Sequence, residues 1–237
     1  MTDPIPASIP DPARHVLVVA DGDVATRAEL DAAWPGWADD VASVIAADGG
    51  YARSVALGLA PDVLVGDLDS LAPVSLAAAE GAGVRIDRFA AHKDESDAEL
   101  ALLEAVALGA SRLTVLGAFG GPRLDHALAN LWLLAHPRLV GLDLVLLDSR
   151  ARARLLTAPG PDGASVELAL PGRLGAIVSL LPFGGDAEGI TTHGLEYPLR
   201  DEPLRIGPAR GLSNVRVAPD ASVALRSGRL LVVERPA

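Results

Sequence analysis

Short apolar runs recur along the first 148 residues, and each breaks off at an acidic or glycine-rich turn. Residues 15–20 (HVLVVA) end at Asp21-Gly22, and residues 41–47 (VASVIAA) end at Asp48-Gly49-Gly50. Val63-Leu64-Val65 runs into Gly66-Asp67-Leu68-Asp69-Ser70, and the shorter run 84–89 gives way to His92-Lys93-Asp94-Glu95-Ser96-Asp97. Residues 112–118 (RLTVLGA) lead into Phe119-Gly120-Gly121-Pro122-Arg123-Leu124-Asp125-His126, and residues 142–147 (LDLVLL) close at Asp148. Unbroken apolar runs of this length mark strands buried on both faces. Helix-like segments lie between them, at 51–57 before Gly58, near 75–80, and at 127–135. A further helix starts at Ser96 and Glu99, which have capping-box spacing, and ends at Gly109; Leu100, Leu103 and Ala107 with Leu102 and Val106 form its predicted apolar face. Strand and helix in alternation predict a doubly wound, mostly parallel α/β sheet with right-handed crossovers.

After Asp148 the helical period disappears. Short β-like runs follow at 153–157, 165–170, 176–181, 222–225 and 229–234, and Ser227-Gly228 reads as a two-residue hairpin turn between the last two. Such runs, punctuated by glycine and proline, predict a second, all-β domain of sandwich type. The expected division is a flexible leader over residues 1–14, an α/β domain over 15–150 and a β-sandwich over 151–237, with no long linker.

Composition narrows the chemistry. The chain carries a formal charge of -11, which argues against a nucleic-acid partner, since such binding needs a basic face. No stretch of about 18 uncharged apolar residues is present, so no membrane span is expected. Asp3 and the prolines at 4, 6, 10 and 12 do not follow the basic-then-apolar plan of a secretory signal, and a cytoplasmic protein is expected. With no cysteine, any metal must be held by oxygen or imidazole. Nineteen of the twenty basic residues are arginine; the one lysine, Lys93, sits inside an acidic stretch.

In a strand continued past Val65, Asp67 and Asp69 would share one side, and two like charges held so close suit a divalent cation. The pair read alone favours a turn, with Asp69 or Ser70 capping the next helix. The neighbours change the balance. Asp21, Asp48, Asp94, Asp97, Asp125 and Asp148 also lie at or just beyond the C-terminal ends of predicted strands, the edge where open parallel sheets bind ligands. Asp21 and Asp148 are read as turn formers. Residues 117–123 add flexible backbone N–H groups beside a guanidinium, though with neither Walker nor dinucleotide spacing. Several aspartates, a lysine and an arginine over a glycine loop describe a site for magnesium and a polyphosphate.

The ordered blocks Ala47-Asp48-Gly49-Gly50, Gly66-Asp67-Leu68-Asp69-Ser70, Lys93-Asp94-Glu95-Ser96-Asp97-Ala98-Glu99, Gly120-Gly121 with Arg123-Leu124-Asp125-His126, Gly194-Leu195-Glu196-Tyr197-Pro198-Leu199 and Ser213-Asn214 resemble the thiamine pyrophosphokinase family. The resemblance implies an α/β domain that binds ATP, a β-sandwich that binds thiamine, and a homodimer whose interface helps form the thiamine pocket. It implies transfer of the pyrophosphoryl group of ATP to the thiamine hydroxyl, leaving AMP, with Mg2+ as cofactor. Asp67, Asp69, Asp94 and Asp97 would then surround magnesium and phosphates. Asp48, Gly49, Lys93, Gly120, Gly121, Arg123 and His126 would hold ATP, and Asp125 would lie near the reacting hydroxyl or the metal. Tyr197, Ser213 and Asn214 would meet thiamine. Pro122 interrupts the family's Gly-Gly-Arg succession, and Glu196 stands where lysine is common. The residues alone leave two alternatives open: a pyrophosphokinase for another heterocyclic alcohol such as a hydroxymethylpterin, and a noncatalytic nucleotide sensor.

Overall fold

The structure is a computed structural model and describes residues 14–69, 71–159 and 163–237, so the expected leader lies almost wholly outside the described residues. The chain separates into two compact units, Met1–Ser149 and Arg150–Ala237. The first holds β1 (His15–Val19), α1 (Arg27–Ala33), β2 (Val41–Ala47), α2 (Gly50–Ala56), β3 (Val63–Gly66), α3 (Pro73–Gly81), β4 (Arg85–Arg88), α4 (Asp97–Ala107), β5 (Arg112–Leu116), α5 (Leu124–Leu133) and β6 (Asp143–Asp148). Its strands are parallel and lie in the order β6-β5-β1-β2-β3-β4. Most of the apolar runs are buried as expected: Val16 to Val19, Ile45 and Ala46, Leu64 and Val65, and Leu113 to Leu116 are at most 2% exposed. The run 84–89 is the exception, since β4 is the last strand in the sheet order and Arg85, Arg88 and Phe89 are exposed.

The order shows how the chain was wound. It travels outward from β1 through β2 and β3 to β4, and α4 then carries it back across β1, β2 and β3 so that β5 can pair with the other side of β1. The connections after β1 and β5 therefore leave in opposite directions, and this is the switch point at which an open α/β sheet forms its crevice.

The long crossing by α4 corrects the predicted apolar face. Ala98, Ala101, Leu102 and Ala105 are buried, whereas Leu100, Leu103 and Val106 are half-buried and Ala107 is exposed. Small side chains let the helix lie close to the sheet, and the larger leucines flank that line. Ser96 caps α4 by accepting from the Glu99 N–H. α5 begins at Leu124 rather than 127, which puts Asp125 and His126 in its first turn.

The second unit is built from β7 (Ala151–Ala158), β8 (Val166–Ala169), β9 (Ile177–Pro182), β10 (Ala187–His193), β11 (Glu202–Leu204), β12 (Asn214–Val215), β13 (Ser222–Leu225) and β14 (Gly228–Arg235). One antiparallel layer runs β12-β9-β14-β7 and the other β11-β10-β13-β8. Leu156, Val178, Leu180, Leu230 and Val232 of the first layer share one core with Ile190, Leu204, Val223 and Leu225 of the second. The expected sandwich is present.

The expected hairpin at Ser227-Gly228 is not. β13 pairs with β10 and β8, and β14 with β7 and β9, so the chain changes layer at this turn and Ser227 bridges to Glu188 instead. A two-residue turn between apolar runs has the same local chemistry whether the strands pair or part. In the first layer Glu234, 1% exposed, accepts from Arg152 at 2.8 Å, Arg154 at 2.7 Å and the buried Arg216 at 3.2 Å.

Candidate active site

The crevice at the switch point owes its shape to missing side chains. The Gly22 N–H donates to Gly117 O at 3.0 Å, and a Cβ on Gly22 would sit 2.2 Å from that oxygen. Gly117, at φ +68°, passes equally close to the Ala20 carbonyl. Beside this seam lies a cavity of about 580 Å³, lined among others by Asp21, Asp48, Asp67, Asp69, Ser96, Asp97, Gly120, Gly121, Arg123 and His126. It belongs wholly to the first unit.

Two strand ends and one helix start converge on it. Asp48 follows β2, is 7% exposed, and adopts the left-handed region at φ 49° as the chain turns into α2. Asp67 follows β3, and Asp97 opens α4 directly after its Ser96 cap. One oxygen from each of Asp48, Asp67 and Asp97 lies within 4.8 Å of the others, a spacing that a single cation can span. Gly66 permits the convergence, since a Cβ there would meet Asp48 Cβ at 3.3 Å and Asp97 Oδ1 at 3.4 Å. The Lys93 ammonium bonds Asp97 Oδ1 at 2.7 Å.

Asp67 and Asp69 do not share a strand face. β3 stops at Gly66 and Leu68 turns left-handed at φ 65°, so Asp69 is turned away from Asp67's neighbours and donates its N–H to Asp67 Oδ1 at 3.1 Å. That N–H, with help from the Lys93 charge, holds the Asp67 carboxyl below its ordinary pKa against a weaker push from burial. Nor does Asp69 cap a helix. Ala72 stands at the N-cap of α3, and Ser70 lies outside the described residues. Asp69 lines the cavity without joining the triplet, and Asp94, exposed, is in neither.

At the other wall, Arg123 forms a two-pronged ion pair with Asp125, Nε to Oδ1 at 3.0 Å and Nη2 to Oδ2 at 2.6 Å. Hydrogen bonding from Arg123 lowers the Asp125 pKa to about 2, which makes that carboxylate a weak proton acceptor. The glycine loop spends one donor internally: the Gly121 N–H bonds Asp23 Oδ2 at 2.8 Å. Gly49 and Lys93 support the cavity without lining it.

Of the residues expected to meet thiamine, Asn214 is 8% exposed and its side chain clamps Tyr197, accepting from Tyr197 N at 3.0 Å and donating to Tyr197 O at 2.7 Å. Tyr197 is thereby held while 65% exposed. Ser213 sits beside Asn214 in the left-handed region at φ 58°, its N–H donating to Ser179 Oγ at 3.1 Å. These three belong to the second unit.

Sequence reasoning missed Arg53, Asp23 and Asn130 and set Asp21 aside as a turn former. Arg53, Asn130 and Asp21 line the cavity, and Asp23 fastens its glycine loop. The available signal was position: Asp21 and Asp23 follow β1, and Arg53 stands four residues after Gly49, one helical turn into α2.

The chain also matches known proteins along most of its length. Residues 37–146 match the thiamin pyrophosphokinase catalytic domain, and residues 165–230 match the thiamin pyrophosphokinase vitamin B1 binding domain. The thiamine pyrophosphokinase of Bacillus subtilis is 25% identical over 198 residues, covering 84% of this chain and 89% of that relative. The crystal structure of the Bacillus subtilis thiamine pyrophosphokinase superimposes with a TM-score of 0.79 at 23% identity, over 94% of this chain and 99% of that one. A thiamin pyrophosphokinase family protein from Enterococcus faecalis gives 0.74 at 25% identity, over 94% and 99%. The thiamin pyrophosphokinase of Candida albicans gives 0.74 at 15% identity, over 94% and 89%. With both domain matches in chain order on the two units, the chain belongs to the thiamin pyrophosphokinase family of ATP-dependent diphosphotransferases.

Proposed function

We propose that the protein carries out its family's reaction with Mg2+ held by Asp48, Asp67 and Asp97, transferring the pyrophosphoryl group of ATP to the hydroxyl of thiamine. The observation that carries this reading is the approach of those three carboxylates to within 4.8 Å at the switch-point crevice. The donor set fits the ion: all three offer hard oxygen atoms, and a small dication prefers a few carboxylates with water and phosphate completing its shell. Bound there, Mg2+ neutralises polyphosphate charge and fixes the phosphates for displacement.

The chain's own residues do the rest. Lys93 fixes the rotamer of Asp97, and the Asp69 N–H fixes Asp67. Arg123, aimed by Asp125, engages phosphate oxygens, while Gly120, Gly121 and His126 border them; Asp48 and Gly49 form the turn that brings α2 to the nucleotide. The thiamine hydroxyl attacks the β-phosphorus in line, the bond to the α-phosphate oxygen breaks, and AMP leaves. The hydroxyl proton passes to solvent, because such transfers depend on positioning and charge more than on a strong base.

Thiamine is bound through Tyr197, Ser213 and Asn214, in a homodimer whose interface completes the acceptor pocket. The vitamin B1 binding match over residues 165–230 supports this assignment. A cytoplasmic location fits a reaction that draws on ATP. Among the described residues, no helix is long and apolar enough to cross a membrane.

The metal assignment is tested by following thiamine diphosphate formation while Mg2+ is titrated. Asp97→Asn is expected to need on the order of 10 to 100 times more Mg2+ for half-maximal rate. An unchanged Mg2+ requirement in both Asp97→Asn and Asp48→Asn would remove the triplet from the mechanism.

A further inference from the structure

We propose that Arg53 is a phosphate-binding residue of the nucleotide cavity and that Asp21 is the positioning residue that aims it. The proposal rests on the reading that this cavity holds ATP. Its starting point is a charge imbalance. The cavity is lined by the carboxylates of Asp21, Asp48, Asp67, Asp69 and Asp97, and its cationic lining side chains, among the described residues, are Arg53 and Arg123. One magnesium does not offset so many acids plus a polyphosphate, so the remaining attraction must come from protein cations and N–H donors.

The other donors near the cavity are either more open to solvent or committed elsewhere. Arg123 also meets phosphate, but at 63% side-chain exposure solvent weakens its charge more than that of Arg53 at 35%. The Gly121 N–H is taken by Asp23, and the Asn130 amide donates to Ala118 O at 3.1 Å. Lys93 is bound to Asp97 and does not line the cavity.

Arg53 is the better-prepared cation. Its side chain is 35% exposed, and it is held on one edge: Nη2 donates to the Asp21 carbonyl at 2.7 Å and to Asp21 Oδ1 at 3.2 Å, and Nε donates to the same oxygen at 3.3 Å. Nη1 takes no part in these bonds. A guanidinium is planar, so fixing one edge fixes the direction of the other. Asp21 is itself confined, because its Oδ1 lies only 2.2 Å from where a Cβ on Gly49 would stand. The β1 turn, the Asp48-Gly49 turn and the first turns of α2 thus lock together around one guanidinium at the cavity wall. Such a group meets a phosphate with little loss of side-chain freedom.

The test is equilibrium binding of ATP with Mg2+ and no thiamine, followed by calorimetry, with steady-state transfer measured in parallel. Arg53→Met is expected to weaken ATP binding by about 10- to 100-fold, the size of a charge-assisted hydrogen bond in a shielded site. The KM for thiamine should move by less than about threefold in that variant, since the lost contact is to phosphate. Asp21→Asn keeps a carbonyl and an amide beside Arg53 but loses the charge, so a smaller loss of ATP affinity is expected. Arg53→Lys restores the charge without the fork and should recover only part of the binding.

Thermal unfolding of each variant separates lost binding from lost structure; should Arg53→Met not fold, Arg53→Lys decides. ATP affinity within twofold of wild type in a folded Arg53→Met, or in Arg53→Lys if that is the folded variant, would overturn the proposal. Wild-type protein that binds no ATP would sink the reading of the cavity itself. Wild-type protein that binds ATP but shows no thiamine-dependent transfer would sink the proposed reaction and leave Arg53 standing.

Discussion

Lys93 stands apart in this chain as a single ammonium among guanidinium groups, and the structure sets it against Asp97 Oδ1 at 2.7 Å. A compact point charge can lie beside a carboxylate without the two-pronged grip by which Arg123 occupies Asp125. Lys93→Met is therefore expected to lower thiamine diphosphate formation by about 10- to 100-fold, the usual effect of removing the partner of a metal ligand. Recovery of part of that loss at high Mg2+ would identify the lesion as one of metal affinity. Lys93, Asp67 and Asp97 were legible because charge of either sign is conspicuous at a strand end. The grouping within the acids was not: period-two reasoning paired Asp67 with Asp69, and one left-handed residue, Leu68, turned them apart and left Asp48 as the third member.

Glu234 was invisible to that reasoning, because its arginine partners come from distant strands. Burial alone would raise its pKa, but Arg152 and Arg154 outweigh burial and hold it below the ordinary 4.5. A carboxylate with a lowered folded pKa stabilises fully above its unfolded value and loses that contribution as pH falls through the folded value. The second unit is accordingly expected to weaken below about pH 4.5. Glu234→Gln, which leaves buried Arg216 facing a neutral amide, should cost about 3–5 kcal/mol at neutral pH and flatten the acid limb. Denaturant unfolding across pH 3 to 7 reads both effects, and an unchanged acid limb in Glu234→Gln would refute the assignment.

At the scale of elements, the central strands of the first unit were readable because burial on both faces leaves an unbroken apolar run; β4, with exposed Arg85 and Arg88, lacks that signature. The strands missed in the second unit lack that signature: β10 carries Gly189 and two threonines, β11 has Pro203 at its centre, and β12 is two residues long. α4 was readable from its cap, and the cap reaches the chemistry. Ser96→Ala removes the oxygen that accepts from the Glu99 N–H and should cost about 1 kcal/mol of stability. It should also loosen Asp97, raising the Mg2+ requirement without altering the KM for thiamine.

The seam between the β1 and β5 connections has no slack. Gly117→Ala would place a Cβ 2.3 Å from the Ala20 carbonyl in a residue already at φ +68°, and is expected to cost about 2 kcal/mol or more and to weaken ATP binding. α5 is unlike the other helices. None of its residues is buried, and Leu124, Leu128 and Trp132 form an exposed stripe at helical spacing. Its apolar pattern was readable in the sequence, but a pattern shows that a face will be covered and not by what.

For the whole molecule, a chain of formal charge -11 holds a site in which acidic side chains gather where they are least expected to tolerate one another. The proposed Mg2+ would relieve that repulsion, and the acidic balance of the chain suits cationic ligands in general. The proposed homodimer would cover apolar surface such as the α5 stripe. Sedimentation equilibrium is expected to give twice the chain mass of 24.3 kDa, and Leu128→Glu with Trp132→Glu to shift the protein towards monomer.

The most direct measurement is conversion of ATP to AMP by the purified protein, with and without thiamine and with and without Mg2+. AMP and thiamine diphosphate should appear in equal amounts only when both are present, and Asp67→Asn should lower the rate by at least about 100-fold. AMP release that does not depend on thiamine, or thiamine diphosphate formed at an undiminished rate by folded Asp67→Asn, would contradict a magnesium-bearing aspartate triplet at the centre of this enzyme.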